Sequence, residues 1–371
     1  MKWQWKLGRF FGIDVYIHAT FLLIIAFVAW SHWSQGAARV VDGVVFVLAI
    51  FACVVAHEYG HALTARKFGI KTRDITLYPI GGVARLERMP DKPIQELWVA
   101  LAGPAVNVVI AGVLYFWLVA AHAFRPFGEL TVTGGPFLER LLVTNLLLVG
   151  FNLIPAFPMD GGRVLRALLA MKLEYTRATG IAAGIGQGTA LLFGLWGLVG
   201  NPMLLFIALF VWIGAAQEAS MVQMKSALAG IPVSRAMLTD FKTLAPTDPL
   251  ARGMELLVQG SQQDFPVVDN GAVAGILTRA DLLKALAQQS PTTPVSAVMR
   301  RDFPQVEAGE MLEGLFARLQ ECQCHTVPVT RNGTLAGLVT SENIGEFLMI
   351  QAALKGRGTA LVPPVVAQNG I

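Results

Sequence analysis

The segment His57-Glu58-Tyr59-Gly60-His61 has the residue types and spacing of a metal-dependent hydrolytic centre. Side chains four residues apart lie on one face of an α-helix, so both imidazoles can bind the same metal ion. Glu58 is offset toward the adjoining water, where a carboxylate can act as a general base. The segment interrupts an apolar run, and ionisable groups at membrane depth indicate a functional site. The alternative is a chance match, or a structural His–Glu cluster at a helix end.

A hydrolytic zinc site needs a third protein ligand and one open position for water. Asp160 is the only carboxylate between Leu141 and Leu173, and it follows a stretch broken by Pro155 and Pro158. A carboxylate oxygen that completes a His-His-Asp set suits Zn²⁺, one ion per chain. The alternative is that Asp160 caps a helix that begins near residue 161.

The composition predicts a membrane domain that positions these residues. Only 15% of the 371 residues are charged, and the mean hydropathy is +0.55, which excludes intrinsic disorder. Three cysteines cannot build a disulfide framework, and Cys322-Gln323-Cys324-His325 lacks the second ligand pair of a zinc motif. We therefore interpret that tetrapeptide as packing.

Charge-free runs of about 20 residues or more predict six membrane-spanning helices. They are Val15–Trp33, Gly43–Ala65, Leu97–Phe124, Leu141–Met159 and two within Ala178–Gln217. These helices divide the connecting segments between the two sides of the membrane. Fourteen Lys and Arg residues lie on the side that holds both termini, and three lie on the other side. This bias predicts that both termini are cytoplasmic. It also explains the basic pI without a nucleic-acid partner, and we expect no such partner.

The second part of the chain repeats with an offset of 62 residues. Val233-Ser234 aligns with Val295-Ser296, and Asn270-Gly271 aligns with Asn332-Gly333. Each unit is predicted as helix, strand, Asn-Gly turn, strand, helix. The predicted domains are a membrane domain at 1–224, a linker at 225–232, repeats at 233–290 and 291–350, and a disordered tail at 351–371.

Three motifs on three predicted helices resemble the site-2 protease family of intramembrane zinc metalloproteases. They are HEYGH at 57–61, LAGPAVN at 101–107 and NLIPAFPMDGG at 152–162, within a match that covers about residues 7–217. The resemblance implies that His57, His61 and Asp160 are zinc ligands. It further implies that Glu58 takes a proton from the attacking water and then protonates the leaving amine.

The resemblance also implies substrate-positioning residues. Asn107 matches the family's Gly-Pro-x-x-Asn stretch, and Asn152 is a similar candidate, so either amide could hold the substrate or the oxyanion. For Asn107 the alternative is an interhelical hydrogen bond. Residues 71–87 are predicted as short strands, which by resemblance form a membrane-embedded hairpin that receives the substrate as an added strand. The alternative is a cytoplasmic loop.

Each repeat unit resembles a cystathionine-β-synthase (CBS) domain, and such pairs often bind ATP, ADP or AMP through a Gly-x-x-Thr-x-x-Asp stretch. Gly275, Thr278 and Asp281 fit this pattern in the first unit, whereas the second keeps Thr340 and has Asn343 in place of the aspartate. An amide is the weaker acceptor for a ribose diol, which puts the second pocket in doubt. We expect the pair to modulate activity through adenine nucleotide or through homodimerisation. The alternative is a pair that only mediates homodimerisation.

The predicted fold is thus a polytopic α-helical membrane protein with six transmembrane helices, followed by a soluble α/β tandem CBS pair. The predicted function is zinc-dependent cleavage of a single-span or hairpin membrane protein in the lipid bilayer of a prokaryotic plasma or inner membrane. The predicted site lies nearer the cytoplasmic face, with the CBS pair in the cytoplasm. The rivals are a CBS-regulated metal-ion transporter that uses the same His/His/Asp cluster, and an inactive scaffold.

Overall fold

The computed structural model describes residues 3–90, 92–122, 124, 131, 134–322 and 324–356. The chain forms two compact units, Met1–Val222 and Gln223–Ile371, and each is described by itself. The predicted disordered tail lies mostly outside the described residues.

The first unit is mainly helical. Its helices are α1 (Phe21–His32), α2 (Ala37–Lys67), α3 (Pro93–Ala120), α4 (Phe137–Asn152), α5 (Asp160–Ala170), α6 (Tyr175–Val199) and the larger part of α7 (Met203–Leu228). Among the described residues, α2, α3, α6 and α7 are long and apolar enough to cross a membrane by length and composition. Their outward apolar side chains, such as Phe116, Leu192 and Phe206, are exposed in the protein alone, as expected for lipid-facing positions.

The predicted count of six membrane-spanning helices is not confirmed. Part of the first predicted span forms the strand β2 (Ile13–His18), which leaves only the 12 residues of α1 as α-helix. The fourth predicted span ends as a helix at Asn152, because the following prolines break the backbone hydrogen-bond ladder. Apolar composition alone does not reveal where a strand or a proline interrupts a run.

A four-stranded sheet packs against α2 in the first unit. Its strands are β1 (Gln4–Phe10), β2, β3 (Thr72–Tyr78) and β4 (Gly81–Leu86), in that order across the sheet. The pair β2–β3 is parallel, and the other two pairs are antiparallel. The two strands predicted at 71–87 are therefore β3 and β4, and β4 is an edge strand.

The second unit contains the two repeats. The first has α8 (Leu250–Gln259), β5 (Phe265–Asp269), β6 (Ala272–Leu277) and α9 (Arg279–Leu286). The second has β7 (Val306–Glu307), α10 (Leu312–Cys322), β8 (Thr326–Arg331), β9 (Thr334–Thr340) and α11 (Ser341–Gly356). Asn270 and Asn332 have positive φ in the two hairpin turns, as the Asn-Gly sequences predict.

The opening segments of the two repeats are exchanged. Val233, at the start of the first repeat, is buried in the hydrophobic core of the second. Val295 and Met299, at the start of the second repeat, are buried in the core of the first. Each folded half therefore uses residues from both repeats.

The cysteines form no framework among the described residues. Cys322 and Cys324 are joined by a disulfide, which the cysteine count did not predict, and Cys53 is free and buried.

Candidate metal centre

Three ligand atoms from α2 and α5 meet at one point. Nε2 of His57 and Nε2 of His61 are 3.0 Å apart, and each lies 3.1 Å from Oδ2 of Asp160. All three side chains are buried, with no more than 7% of any residue exposed. The separations are close to the roughly 3.3 Å expected between ligands that share one tetrahedral zinc ion.

The hydrogen bonds on the far side of each imidazole determine which nitrogens face this point. Nδ1 of His57 lies 2.5 Å from Oδ1 of Asn107, and Nδ1 of His61 lies 2.7 Å from the Val99 carbonyl oxygen. Both partners are acceptors, so each Nδ1 carries the proton and each Nε2 presents a lone pair. Two lone pairs and a carboxylate oxygen converge here, and a cation relieves their mutual repulsion. The donor set therefore fits zinc.

Close packing of α3 against α2 depends on a glycine. A β-carbon on Gly103 would collide with Nε2 of His61 and lie 2.6 Å from Nε2 of His57. Gly60 on α2 is restricted in the same way by the carbonyl oxygen of Ala102. The small residues of the LAGPAVN motif thus bring α3 close enough to orient both imidazoles.

The turn before α5 positions Asp160. The cis Phe157–Pro158 bond lies in this turn, and Asp160 is the first residue of α5. A β-carbon on Gly162 would approach the backbone nitrogen of Phe157 to 2.6 Å, so the Gly-Gly pair lets the turn fold back on the helix.

Glu58 lies beside the three ligands in a cavity of about 470 Å³. Its Oε2 accepts a hydrogen bond of 3.2 Å from the Ala84 backbone N–H on β4. The edge strand β4 lines the same cavity through Gly82, Val83 and Ala84. A carboxylate, a metal-ligand triad and an open strand edge therefore share one space.

The two candidate asparagines differ in their surroundings. Asn107 is fully buried. In addition to its contact with His57, its Nδ2 donates a hydrogen bond of 2.8 Å to Oδ1 of Asn145 on α4. These are the interhelical hydrogen bonds of the alternative interpretation. Asn107 also lines the cavity, and its role toward the substrate stays a prediction. Asn152 lines the cavity and is half-buried, with no side-chain hydrogen bond among the described residues.

Sequence reasoning missed two residues near this site. Asn145 accepts a hydrogen bond from Asn107. An isolated amide side chain in an apolar helix is the sequence feature that could have indicated it. Arg163 lines the cavity. Its position three residues after Asp160, on the same helical face, could have indicated this from the sequence.

The residues predicted to bind nucleotide make contacts within the second unit, and their role in nucleotide binding stays a prediction. A β-carbon on Gly275 would lie 2.7 Å from Sδ of Met299 and 2.8 Å from the Arg300 carbonyl oxygen. Thr278 caps α9, since its Oγ accepts from the Asp281 N–H and donates to the Asp281 carboxylate. Thr340 makes the same pair of bonds with Asn343 in the second repeat.

Asp281 has a further partner that Asn343 lacks. Arg300 donates to both of its carboxylate oxygens, at 2.5 and 3.1 Å. The Arg300 hydrogen bond holds the pKa of Asp281 below its ordinary value, so the carboxylate is ionised at neutral pH. The position equivalent to Arg300 in the repeat is Leu238, and the two sites therefore differ in charge.

The chain is similar in sequence to known zinc metalloproteases and to CBS domain proteins. A family model described as peptidase family M50 matches residues 45–134, and a CBS domain model matches residues 233–288 and 295–349. A zinc metalloprotease of Methanocaldococcus jannaschii is 33% identical over 333 residues, covering 86% of this chain and 95% of that protein. The CBS domain-containing protein YhcV of Bacillus subtilis is 28% identical over 131 residues, covering 35% and 91%. The solved structure of a site-2 protease from M. jannaschii is 39% identical, covering 58% of this chain and 95% of that chain, with a TM-score of 0.44.

Apolar helices that enclose a His-His-Asp cluster beside a glutamate define a membrane metalloprotease. The chain belongs to peptidase family M50, the site-2 protease family of zinc metalloproteases, and it carries a CBS pair.

Proposed function

We propose that this enzyme hydrolyses a peptide bond within or near a transmembrane segment of another membrane protein. The observation that carries the proposal is the convergence of three buried ligand atoms beside Glu58 on the wall of one cavity. His57, His61 and Asp160 would hold the zinc ion. When bound there, zinc would polarise the scissile carbonyl and lower the pKa of water.

Glu58 acts as the proton carrier in the proposed reaction. The water oxygen forms a bond to the carbonyl carbon, a water proton passes to the Glu58 carboxylate, and the carbonyl electron pair moves to oxygen. The C–N bond then breaks as Glu58 returns the proton to the leaving nitrogen. The Ala84 N–H orients the carboxylate for both transfers.

The substrate is proposed to bind as a strand along the open edge of β4. A helix has its carbonyls in backbone hydrogen bonds, so a segment must unwind before a peptide bond can reach Glu58. Gly82, Val83 and Ala84 line the cavity with backbone groups that an extended segment can pair with. This arrangement favours a single-span or hairpin substrate.

The test is proteolysis of a panel of single-span membrane proteins by purified enzyme, with Glu58→Gln as the key variant. We expect wild-type cleavage that a chelator removes, and no cleavage by Glu58→Gln at full zinc content. Cleavage by that variant would contradict the proposed role of Glu58. A metal-ion transporter would instead give ion flux in liposomes that is indifferent to the substitution.

The second proposal concerns the CBS pair, for which we propose adenine-nucleotide modulation and homodimerisation. The first repeat offers the Asp281 carboxylate, held ionised by Arg300, as an acceptor for ribose hydroxyls. Titration of the full-length protein with ATP, ADP and AMP tests this, using Asp281→Ala and, as the matched control, Asn343→Ala. We expect loss of nucleotide binding only in Asp281→Ala. Equal loss in both variants would contradict the proposed difference between the two repeats.

The proposed setting is a prokaryotic plasma or inner membrane, with both termini and the CBS pair in the cytoplasm. The Lys and Arg bias supports this orientation. Labelling of single cysteines placed near residue 2 and in the 123–136 connection would test it, because only the second should react from outside the cell.

A further inference from the structure

Arg163 is a charged residue of the cavity with no function assigned above. It lies on α5 one helical turn after Asp160, it is half-buried, and it lines the same cavity as Glu58. Within the described part of the chain, its guanidinium has neither a hydrogen-bond acceptor nor an ion-pair partner. The carboxylates of Glu58, Asp160 and Glu96 interact with its charge without close contact. Its N–H groups therefore remain free to donate to a ligand in the cavity.

Arg166 on the same helix is an arginine with a structural role, and its contacts differ from those of Arg163. It is fully buried, and its guanidinium contacts Glu96 on α3 at 2.5 Å and Glu218 on α7 at 2.5 Å. Its charge is therefore matched by protein carboxylates. The difference indicates that the Arg163 charge is directed to the cavity and its contents.

The groups in and around the cavity limit which negative charge Arg163 can bind. Asp160 faces the two imidazoles, and Glu58 accepts from Ala84. Both carboxylates interact with the Arg163 charge electrostatically, but neither accepts a hydrogen bond from its guanidinium. Amide hydrolysis creates one new negative charge, on the carbonyl oxygen of the scissile bond. Arg163 brings a positively charged hydrogen-bond donor to the cavity wall, whereas the Asn152 amide and the backbone N–H groups of β4 are neutral donors.

We propose that Arg163 is a catalytic residue that stabilises this developing oxyanion. Its N–H groups donate to the carbonyl oxygen as the water oxygen bonds to carbon and the electron pair moves to oxygen. When the C–N bond breaks, the charge returns to a carbonyl and the contact weakens. Arg163 thus binds the transition state more strongly than the substrate. This inference rests on the proposed proteolytic function.

The experiment compares Arg163→Met and Arg163→Lys with a matched control, Arg177→Met. Arg177 lies on α6, is exposed and does not line the cavity, so its substitution removes the same charge from the same unit. The substrate is a single-span protein that the wild type cleaves. Zinc content, kcat and KM are measured, together with binding of a phosphonamidate peptide that matches the cleavage site.

For Arg163→Met we expect kcat to fall by about 10²–10³-fold, with KM and zinc content close to wild type. Phosphonamidate affinity should fall while affinity for the uncleaved substrate, measured in the Glu58→Gln background, is unchanged. Added guanidinium should partly restore kcat, Arg163→Lys should be intermediate, and Arg177→Met should resemble wild type.

Three results would overturn the assignment. These are a wild-type kcat in Arg163→Met, a rise in KM with unchanged kcat, or a loss of zinc that accounts for the lost activity. If Glu58→Gln is inactive while Arg163→Met is fully active, the proposed function survives and only this inference fails. If the wild type cleaves no panel member, both fail.

Discussion

At the residue scale, the metal centre depends on groups that orient the ligands as well as on the ligands themselves. Asn107 and the Val99 carbonyl fix the tautomer of each imidazole, and Asn145 in turn fixes the Asn107 amide. Such partners typically change metal affinity by 10–100-fold when they are removed. Asn107 therefore acts on the metal centre through its hydrogen bond to His57.

Replacing Asn107 by Leu should weaken zinc binding about 10–100-fold, because the Nδ1 proton of His57 loses its acceptor. Competition with a chelator of known affinity measures the change. Asn152→Leu is the matched control, since Asn152 has no hydrogen bond to a ligand among the described residues. Equal zinc affinity in the two variants would argue against an orienting role for Asn107.

Asp160→Ala should lose stoichiometric zinc, because it removes the only carboxylate in the cluster found among the described residues. Metal analysis of the purified protein gives the ratio directly. Retention of one ion per chain would remove Asp160 from the ligand set.

At the element scale, the distance between α2 and α3 determines whether the site exists. At Gly103 no side chain fits beside the two imidazoles. The open edge of β4 contributes the other wall and the hydrogen bond to Glu58. The site is therefore formed by contacts between elements that are distant in sequence.

Gly103→Ala should force α3 away from the imidazoles and cost about 1–3 kcal/mol in stability, with loss of zinc. Gly112→Ala on the same helix is the control, because a β-carbon there meets no atom within 4 Å. That change should leave zinc binding intact. Thermal unfolding and metal content of both variants test the prediction, and equal behaviour would refute it.

At the scale of the whole molecule, the two repeats fold as one body in the second unit. Leu238 exchanges two backbone hydrogen bonds with Leu338, and Arg300 exchanges two with Ile276. These contacts join the start of each repeat to the sheet of the other. The repeat boundary in the sequence is thus not a boundary in the fold.

A fragment of residues 233–290 should fail to fold by itself, because its core lacks Val295 and Met299. A fragment of residues 223–356 contains both exchanged segments and should unfold cooperatively. Circular dichroism and thermal unfolding distinguish the two. A stably folded short fragment would contradict the exchange.

Local spacing and composition are enough to predict several features of this protein. Residues 57 and 61 share a helical face in any helix, apolar runs require a nonaqueous environment, and Asn-Gly turns join adjacent strands. Features that depend on residues distant in the chain became visible only in the folded protein. Arg163 and Arg166 are the same residue type on one helix, yet one meets two carboxylates and the other faces the cavity. Gly275 matches a nucleotide motif in the sequence, and the fold shows in addition that Met299 lies against it. The physical reason is that burial and charge compensation are set by the surroundings of a side chain, and folding brings those surroundings from other parts of the chain.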